Sequence, residues 1–312
     1  DNQDKLATAT SFESIGTTKD AEAWHEFYRK TTLLAKALFP TVLDPLPTRS
    51  EAKAKLRELS GSDQIWEEFI DQPVGQVIEN SFESDLVRGV VLTDGLIGTF
   101  GSNLDPNLDV NKCFLYHVIG NETGDWNIPI GGMGQVTDSL YKVAKQLGVS
   151  LLADCDVTAI TEDNTVSFSQ QGSQNSIKGK YVLANVSPTE LEKLTGVENI
   201  VPNATKIDGA QVKVNVLLKR LPKLKDQSLD PVAAFGGTFH INENYSQLQN
   251  AFEQASRGEI PSPLPCEIYC HSLTDPSILS SELQDQGVQT LTVFALHTPH
   301  ALLDGKDKDL MT

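Results

Sequence analysis

Hydrophobic positions along this chain of 312 residues recur at two spacings, and the change from one to the other divides it. From 21 to 39, Ala21, Trp24, Phe27, Tyr28, Thr31, Leu34 and Leu38 stand three or four apart. That interval places them on one face of a helix, which Pro40 ends. A proline-rich loop (Leu43 to Thr48) separates it from a second helix over about 49–60. Further helices are predicted at 63–70 and 73–100, the latter opened by Pro73. The first 20 residues are polar and predict a frayed or looped start. Residues 101–130 read as loop, with Tyr116-His117-Val118 as a short apolar piece. Toward the C-terminal end the interval shortens to two: Val212, Val214 and Val216 point one way, Lys213 and Asn215 the other, a half-buried strand. Strands are also predicted at 234–241, 267–272 and 290–297, with a helix at 245–257. There is no internal repeat, low-complexity tract or Gly/Ser linker.

Between these regions lies a self-contained pattern. Ile130-Gly131-Gly132-Met133-Gly134-Gln135 leads into Val136, Leu140, Val143, Ala144 and Leu147 at helical spacing. Asp138 falls in the first turn and Lys142 and Lys145 later, each on the side that the helix dipole favours. Gly148 is placed to end the helix in the left-handed conformation. Val149-Ser150-Leu151-Leu152 and Val157-Thr158-Ala159-Ile160 then have strand composition. Glycines without Cβ atoms let backbone approach a ligand closely, but three of them are also what a plain strand-to-helix turn needs.

This order of glycine turn, helix, stop and strand resembles the shared segment of phytoene desaturases, carotenoid isomerases and amine oxidases, which are FAD-dependent oxidoreductases. Within that superfamily the chain is similar to the family of pyridine nucleotide-disulphide oxidoreductase domain-containing protein 2. Leu92-Thr93-Asp94-Gly95-Leu96-Ile97-Gly98, Tyr116-His117-Val118, Lys213-Val214-Asn215-Val216, Asp275-Pro276-Ser277 and Leu296-His297-Thr298-Pro299 carry that likeness in order. The resemblance implies an α+β fold: a flexible segment 1–20, a helical cap at 21–128, a partial FAD-binding segment at 129–186 and a mixed-sheet substrate domain at 187–312. It implies FAD contacts at Gly131, Gly132, Val157 and Asn185, with Val157 bracketing the adenine and Tyr181 to Asn185 forming a strand that returns toward the cofactor. It also implies a substrate-lining set of Met133, Gln135, Tyr116 and His117. Read without it, Gln135 is a solvated first-turn residue and His117 a buried, hydrogen-bonded histidine.

The same likeness leads one to expect a strand and G-x-G-x-x-G, which would seat a pyrophosphate at a helix N-terminus. No such run occurs; Gly95-Leu96-Ile97-Gly98-Thr99-Phe100-Gly101 has the wrong spacing. The expectation is a central fragment of a longer flavoprotein that removes hydride equivalents from a hydrophobic, isoprenoid-like molecule. FAD would belong to the parent protein, and the fragment would not retain it. A binding or interaction protein on a scaffold that has lost redox chemistry is the alternative.

Composition narrows the partners. A net charge of −17 opposes nucleic acid and anionic membrane surfaces, and no apolar run is long enough to span a bilayer. Peripheral membrane contact, a protein partner and self-association stay open. Cys266 and Cys270 would lie about 13 Å apart in a strand, beyond disulfide reach. No C-x-x-C pair occurs, so the four cysteines read as reduced thiols of a soluble intracellular protein in cytoplasm or organelle matrix. His297-Thr298-Pro299-His300 has no helical spacing and no spaced carboxylate, so no metal is predicted. No catalytic triad or paired-carboxylate spacing stands out, and catalytic residues are unknown from sequence. Trp24, Trp66 and Trp126 read as core anchors. Asn-x-Ser/Thr matches at Asn121, Asn185, Asn203 and Asn244 are of the number chance provides.

Overall fold

Helices fill the first third of the chain in the computed structural model, which describes residues 5–15, 17–200 and 209–303. Where the sequence predicts a flexible start over 1–20, the chain forms α1 (Lys5–Ser14). The reason is one residue: Phe12 is buried, edge-on against Trp24 with ring centroids 5.5 Å apart. Helix α2 (Thr18–Leu38) follows its predicted period and buries Phe27, Thr31, Leu34 and Ala35. Helix α3 (Arg49–Ser60) also runs as predicted, between a Thr48–Glu51 capping box and a left-handed Gly61. A short α4 (Gln64–Trp66) continues into a π turn at Glu67–Asp71.

The single helix predicted at 73–100 is two, α5 (Val74–Ser81) and α6 (Asp85–Leu96). The break is held by buried Asp20, whose carboxylate accepts the amides of Glu83 and Ser84 at 2.8 and 2.9 Å. Ser84 then caps α6 through the amide of Val87. The predicted loop at 101–130 contains α7 (Asp109–Val118). Its first amides, Asp109 and Val110, donate to Asp105, a cap five residues ahead of the apolar run that hid it. Phe27, Phe69, Phe82 and Phe114 meet at the centre of these helices, with centroids 5.3 to 6.1 Å apart.

Next in the chain comes α8 (Gly134–Gln146). It ends as its sequence predicts: Gly148 is left-handed, its amide bonds to Lys145 and that of Val149 reaches back to Ala144, a Schellman motif. An antiparallel sheet follows, β1 (Cys155–Ile160), β2 (Thr165–Gln170) and β3 (Ser173–Lys178), in that order. The last two strands are absent from the sequence reading: β2 offers only Val166 and Phe168 in alternation, and β3 only Ile177 among polar residues. Their turn, Gln171-Gly172, has positive φ at both positions, as a two-residue hairpin requires. Ser187 caps α9 (Pro188–Thr195), with Pro188 in its first turn and left-handed Gly196 after it. Residues 149–152 and 181–185 are not strands, and neither segment joins a sheet among the described residues.

The remaining elements are β4 (Val212–Leu218), α10 (Pro231–Phe235), β5 (Phe239–Ile241), α11 (Tyr245–Ser256), β6 (Cys266–Tyr269), α12 (His271–Thr274), α13 (Ser281–Asp285) and β7 (Gln289–Ala295). Their sheet has the order β4-β7-β6-β5, and every neighbouring pair is antiparallel. The mixed sheet expected from the resemblance is therefore corrected, because each neighbour enters from the end at which the other left. The strand predicted at 234–241 is confined to its last three residues, since Asp230 caps Val232 and Ala233 into a helical turn.

The architecture is α+β with antiparallel sheets, in two compact units: Asp1–Met133 with Asp208–Thr312, and Gly134–Ile207. The helical layer and the four-stranded sheet thus share a unit, and α9 goes with α8 and the three-stranded sheet. The Asn203 match and the chain end lie outside the described residues. No helix among the described residues is long and apolar enough to cross a membrane.

Candidate functional site

Register sorts the residues of the four-stranded sheet onto its two faces. Phe239, Ile268, Leu291 and Val216 fall on one face, where they pack with Phe235, Cys270, Leu221 and Leu224. The other face carries a row His240–Glu267–Phe294–Lys213 and, two residues along, Tyr269–Thr292–Asn215. Glu267 and Thr292 on this face are buried, and polar groups that are buried must find partners.

Several do. Tyr269 Oη donates to Glu267 Oε2 at 2.5 Å, and Thr292 Oγ1 donates to Asn215 Oδ1 at 3.0 Å. His240 Nδ1 lies 2.5 Å from Oε2 of Glu243, which sits in the turn between β5 and α11. That turn is pinned against α6: a Cβ on Gly89 would stand 1.8 Å from the Glu243 carbonyl oxygen. Asp94, one turn farther along α6, lies within electrostatic reach of Glu267 and His240, and of His117 on α7.

Burial dominates the electrostatics. It pushes Asp94 up to about 6, against the opposing pull of His117. It raises Glu243 to about 7, with the hydrogen bond from His240 working the other way. At His240 desolvation opposes the charged ring, but the hydrogen bond to Glu243 and the fields of Glu243, Glu267 and Asp94 outweigh it, and its pKa is raised. Tyr269 and Tyr28 are held protonated, chiefly by burial and then by the carboxylates beside them. Such a set of displaced carboxyl, imidazole and phenol groups is what proton-handling or ligand-binding sites need.

The residues picked from sequence are distributed over both units. In the first, Gly131 and Gly132 take φ of +84° and +86°, which only glycine adopts without strain, in a turn closed by the Gly132 amide on Pro129. The Gly131 amide donates to Asp275 Oδ2 at 2.7 Å, so that donor is already used within the protein. Met133 is exposed. His117 is half-buried and accounts for its own ring: Nδ1 bonds the Cys113 carbonyl at 2.8 Å and the ring stacks on Trp126 at 5.3 Å. Tyr116 meets the same indole edge-on. Trp126 is thus no core anchor, being 61% exposed in an aromatic surface patch.

In the second unit, Gln135 is an exposed residue in the first turn of α8, and Asn185 is exposed in the irregular stretch before α9. Val157 lies on β1, an edge strand whose register shifts between Val157 and Ala159, a bulge that leaves backbone groups unpaired. Of the acid cluster, sequence places Asp94 in a run that carries the family likeness and Glu267 and Tyr269 in a predicted strand, and gives none of them a role. His240, Glu243, Glu267 and Tyr269 come from separate strands and a turn, and only sheet register unites them; polar positions alternating through strand 266–269 were the available signal.

Comparison with known proteins settles the lineage. A profile described as "Flavin containing amine oxidoreductase" matches residues 17–213, well over half of the chain. The chain belongs to the flavin-containing amine oxidoreductase family. An uncharacterized protein of Mycobacterium tuberculosis is 46% identical over 299 residues, covering 94% of this chain and 55% of the relative. The rat pyridine nucleotide-disulfide oxidoreductase domain-containing protein 2 is 27% identical over 330 residues, covering 92% of this chain and 54% of that protein. The mouse protein of the same name is 26% identical over 327 residues, at 92% and 54% coverage. The chain spans about half the length of these curated relatives. No solved structure matches it.

Proposed function

We propose that this chain forms the substrate-binding part and one wall of the flavin site in an FAD-dependent oxidoreductase of the phytoene dehydrogenase-like type. The observation that carries the reading is the state of α8 and β1. Helix α8 buries no residue, although Val136, Leu140, Val143 and Leu147 form a continuous apolar stripe. Beside it in sequence, β1 presents Val157 on an open strand edge. An apolar helix face and an unpaired strand edge are what a nucleotide-binding fold covers when its other strands are present, and the relatives have the length to supply them.

The residues fit FAD in part. In the second unit, Val157 stands on an edge strand beside a break in register, where an adenine could pair with backbone, and a Cβ at Gly134 would meet nothing within 4 Å. Gly131 serves the turn rather than the ligand, since its amide belongs to Asp275. Bound FAD supplies hydride acceptance. This chain's residues bind, orient and exclude water. Tyr116, His117 and Trp126 offer an aromatic surface to a hydrophobic molecule. Asn215, His271, Thr290 and Thr292 line a recess of about 340 Å³ on the same unit, large enough to take one end of a small ligand.

The test is the visible spectrum of a protein of the relatives' length that carries this chain. It should be yellow, and an isoprenoid-like donor should bleach it without oxygen. A colourless protein that FAD cannot reconstitute would leave the non-catalytic binding protein as the better account.

A further inference from the structure

The acid cluster of the four-stranded sheet is more than the flavin reading uses. Three of its members converge. His240 on β5 and Glu267 on β6 are directly opposed cross-strand partners, so their side chains leave the sheet on the same face. Glu243 reaches back over that face from the turn that follows β5. One donor atom from each residue, an imidazole nitrogen and two carboxylate oxygens, lies within 4.8 Å of the others.

Two further observations point to a ligand. The Glu243 side chain is wholly buried, yet its Oε1 has no hydrogen-bond partner. A buried carboxylate oxygen left unsatisfied is costly unless something else binds it. Charge is also out of balance. Glu243, Glu267 and Asp94 bring three carboxyl groups into one buried region, and among the described residues their only ion pair is His240 with Glu243. The nearest basic residue in the same cross-sheet row, Lys213, lies beyond Phe294 and rests on its ring at 5.1 Å.

We propose that His240, Glu243 and Glu267 bind one divalent transition-metal ion of the zinc or manganese class. One imidazole and two carboxylates make a borderline donor set, suited to Zn²⁺ or Mn²⁺; Ca²⁺ wants six to eight oxygens and Cu⁺ wants sulfur. An ion with bonds of about 2.0–2.2 Å needs its donors about 3–3.5 Å apart, so His240 Nδ1 and Glu243 Oε2, now 2.5 Å apart, must open to admit it, and any pair near the 4.8 Å limit must close. The surroundings support each ligand from behind: Tyr269 donates to Glu267, orienting its carboxylate as outer partners of metal sites do. Binding displaces the proton that now joins His240 to Glu243 and releases it. The site lies within the first unit and does not depend on the flavin reading.

The experiment is metal analysis of the purified chain, followed by titration of the EDTA-treated protein with ZnCl₂, MnCl₂ and CaCl₂. One equivalent of Zn²⁺ or Mn²⁺ should bind at roughly micromolar affinity or tighter. Glu243→Gln and Glu267→Gln should each weaken it at least roughly tenfold, whereas Glu253→Gln, on the exposed side of α11, should leave it unchanged. Each of the two ligand substitutions should abolish the rise in melting temperature that metal gives. Absence of a stoichiometric ion, preference for Ca²⁺, or affinity indifferent to both substitutions overturns the proposal. If either variant does not fold, Co²⁺ loading of the unaltered chain decides. Imidazole-coordinated visible bands support the site, and the spectrum of the hydrated ion refutes it.

Discussion

The two units read alike in sequence and differ in what they bury. Helix α2 and helix α8 both carry an apolar stripe at helical spacing. In the first unit that stripe meets partners, and Phe27 and Leu34 are at most 1% exposed. In the second, Leu140 and Leu147 stand 67% and 77% exposed, and Phe168 is the one buried residue among those described. Amphipathic spacing therefore states which face needs covering, not what covers it. One unit supplies its own cover. The other leaves its helix face exposed.

Several measurements can break or sharpen this contrast. The largest effect is expected at the aromatic centre. Phe27→Ala should cost about 3–5 kcal/mol by urea unfolding followed through tryptophan fluorescence, which reads the first unit alone because Trp24, Trp66 and Trp126 all lie there. A loss below about 1 kcal/mol would mean that this unit is loosely packed too.

Acid comes next. His297 is wholly buried between Phe100 and Phe252, with both ring nitrogens unpartnered, and burial lowers its pKa to about 4. Because its folded pKa is depressed below the unfolded value of 6.5, its stability contribution is present above that value. It is lost as pH falls toward 4, up to about 3 kcal/mol in all. His297→Asn, which tolerates the left-handed backbone at that position, should flatten this part of the pH–stability curve. An unchanged slope would show that another group carries it.

Smaller again is Gly89→Ala, expected to cost about 1–3 kcal/mol because its Cβ would strike the Glu243 carbonyl. Gly134→Ala in the second unit has nothing within 4 Å to meet and should be close to silent. Smallest is Leu140→Ala, expected within about 0.5 kcal/mol in this chain. Hydrogen exchange should show α8 amides exchanging well before those of α6. Slow exchange in α8, or a core-sized loss at Leu140, would mean that its stripe is covered after all.

Much of the fold was legible because it rests on local signals. Thr48 and Glu51 mark the start of α3, Gly148 marks the end of α8, and alternation over 212–216 gives β4. What escaped depends on distant partners. Asp20 cuts the helix predicted at 73–100 from more than sixty residues away, and Asp105 caps α7 out of a stretch that reads as loop. Strand β3 is almost wholly polar and β2 carries only Val166 and Phe168 on its apolar face, so their Gln171-Gly172 turn was the clearest sign of the pair. The site divides the same way. Gly131, Gly132 and Val157 stood out through a family pattern, whereas His240, Glu243 and Glu267 become a group only when β5 pairs with β6.

The most direct test of the central claim compares FAD affinity for residues 1–312 alone and for a protein of the relatives' length that contains them, by quenching of flavin fluorescence. The account predicts about one tightly held FAD per longer chain, and affinity at least roughly a hundredfold weaker for 1–312, which offers the cofactor a single wall. Stoichiometric FAD retained by 1–312 on its own, or a longer protein that binds none, would contradict it.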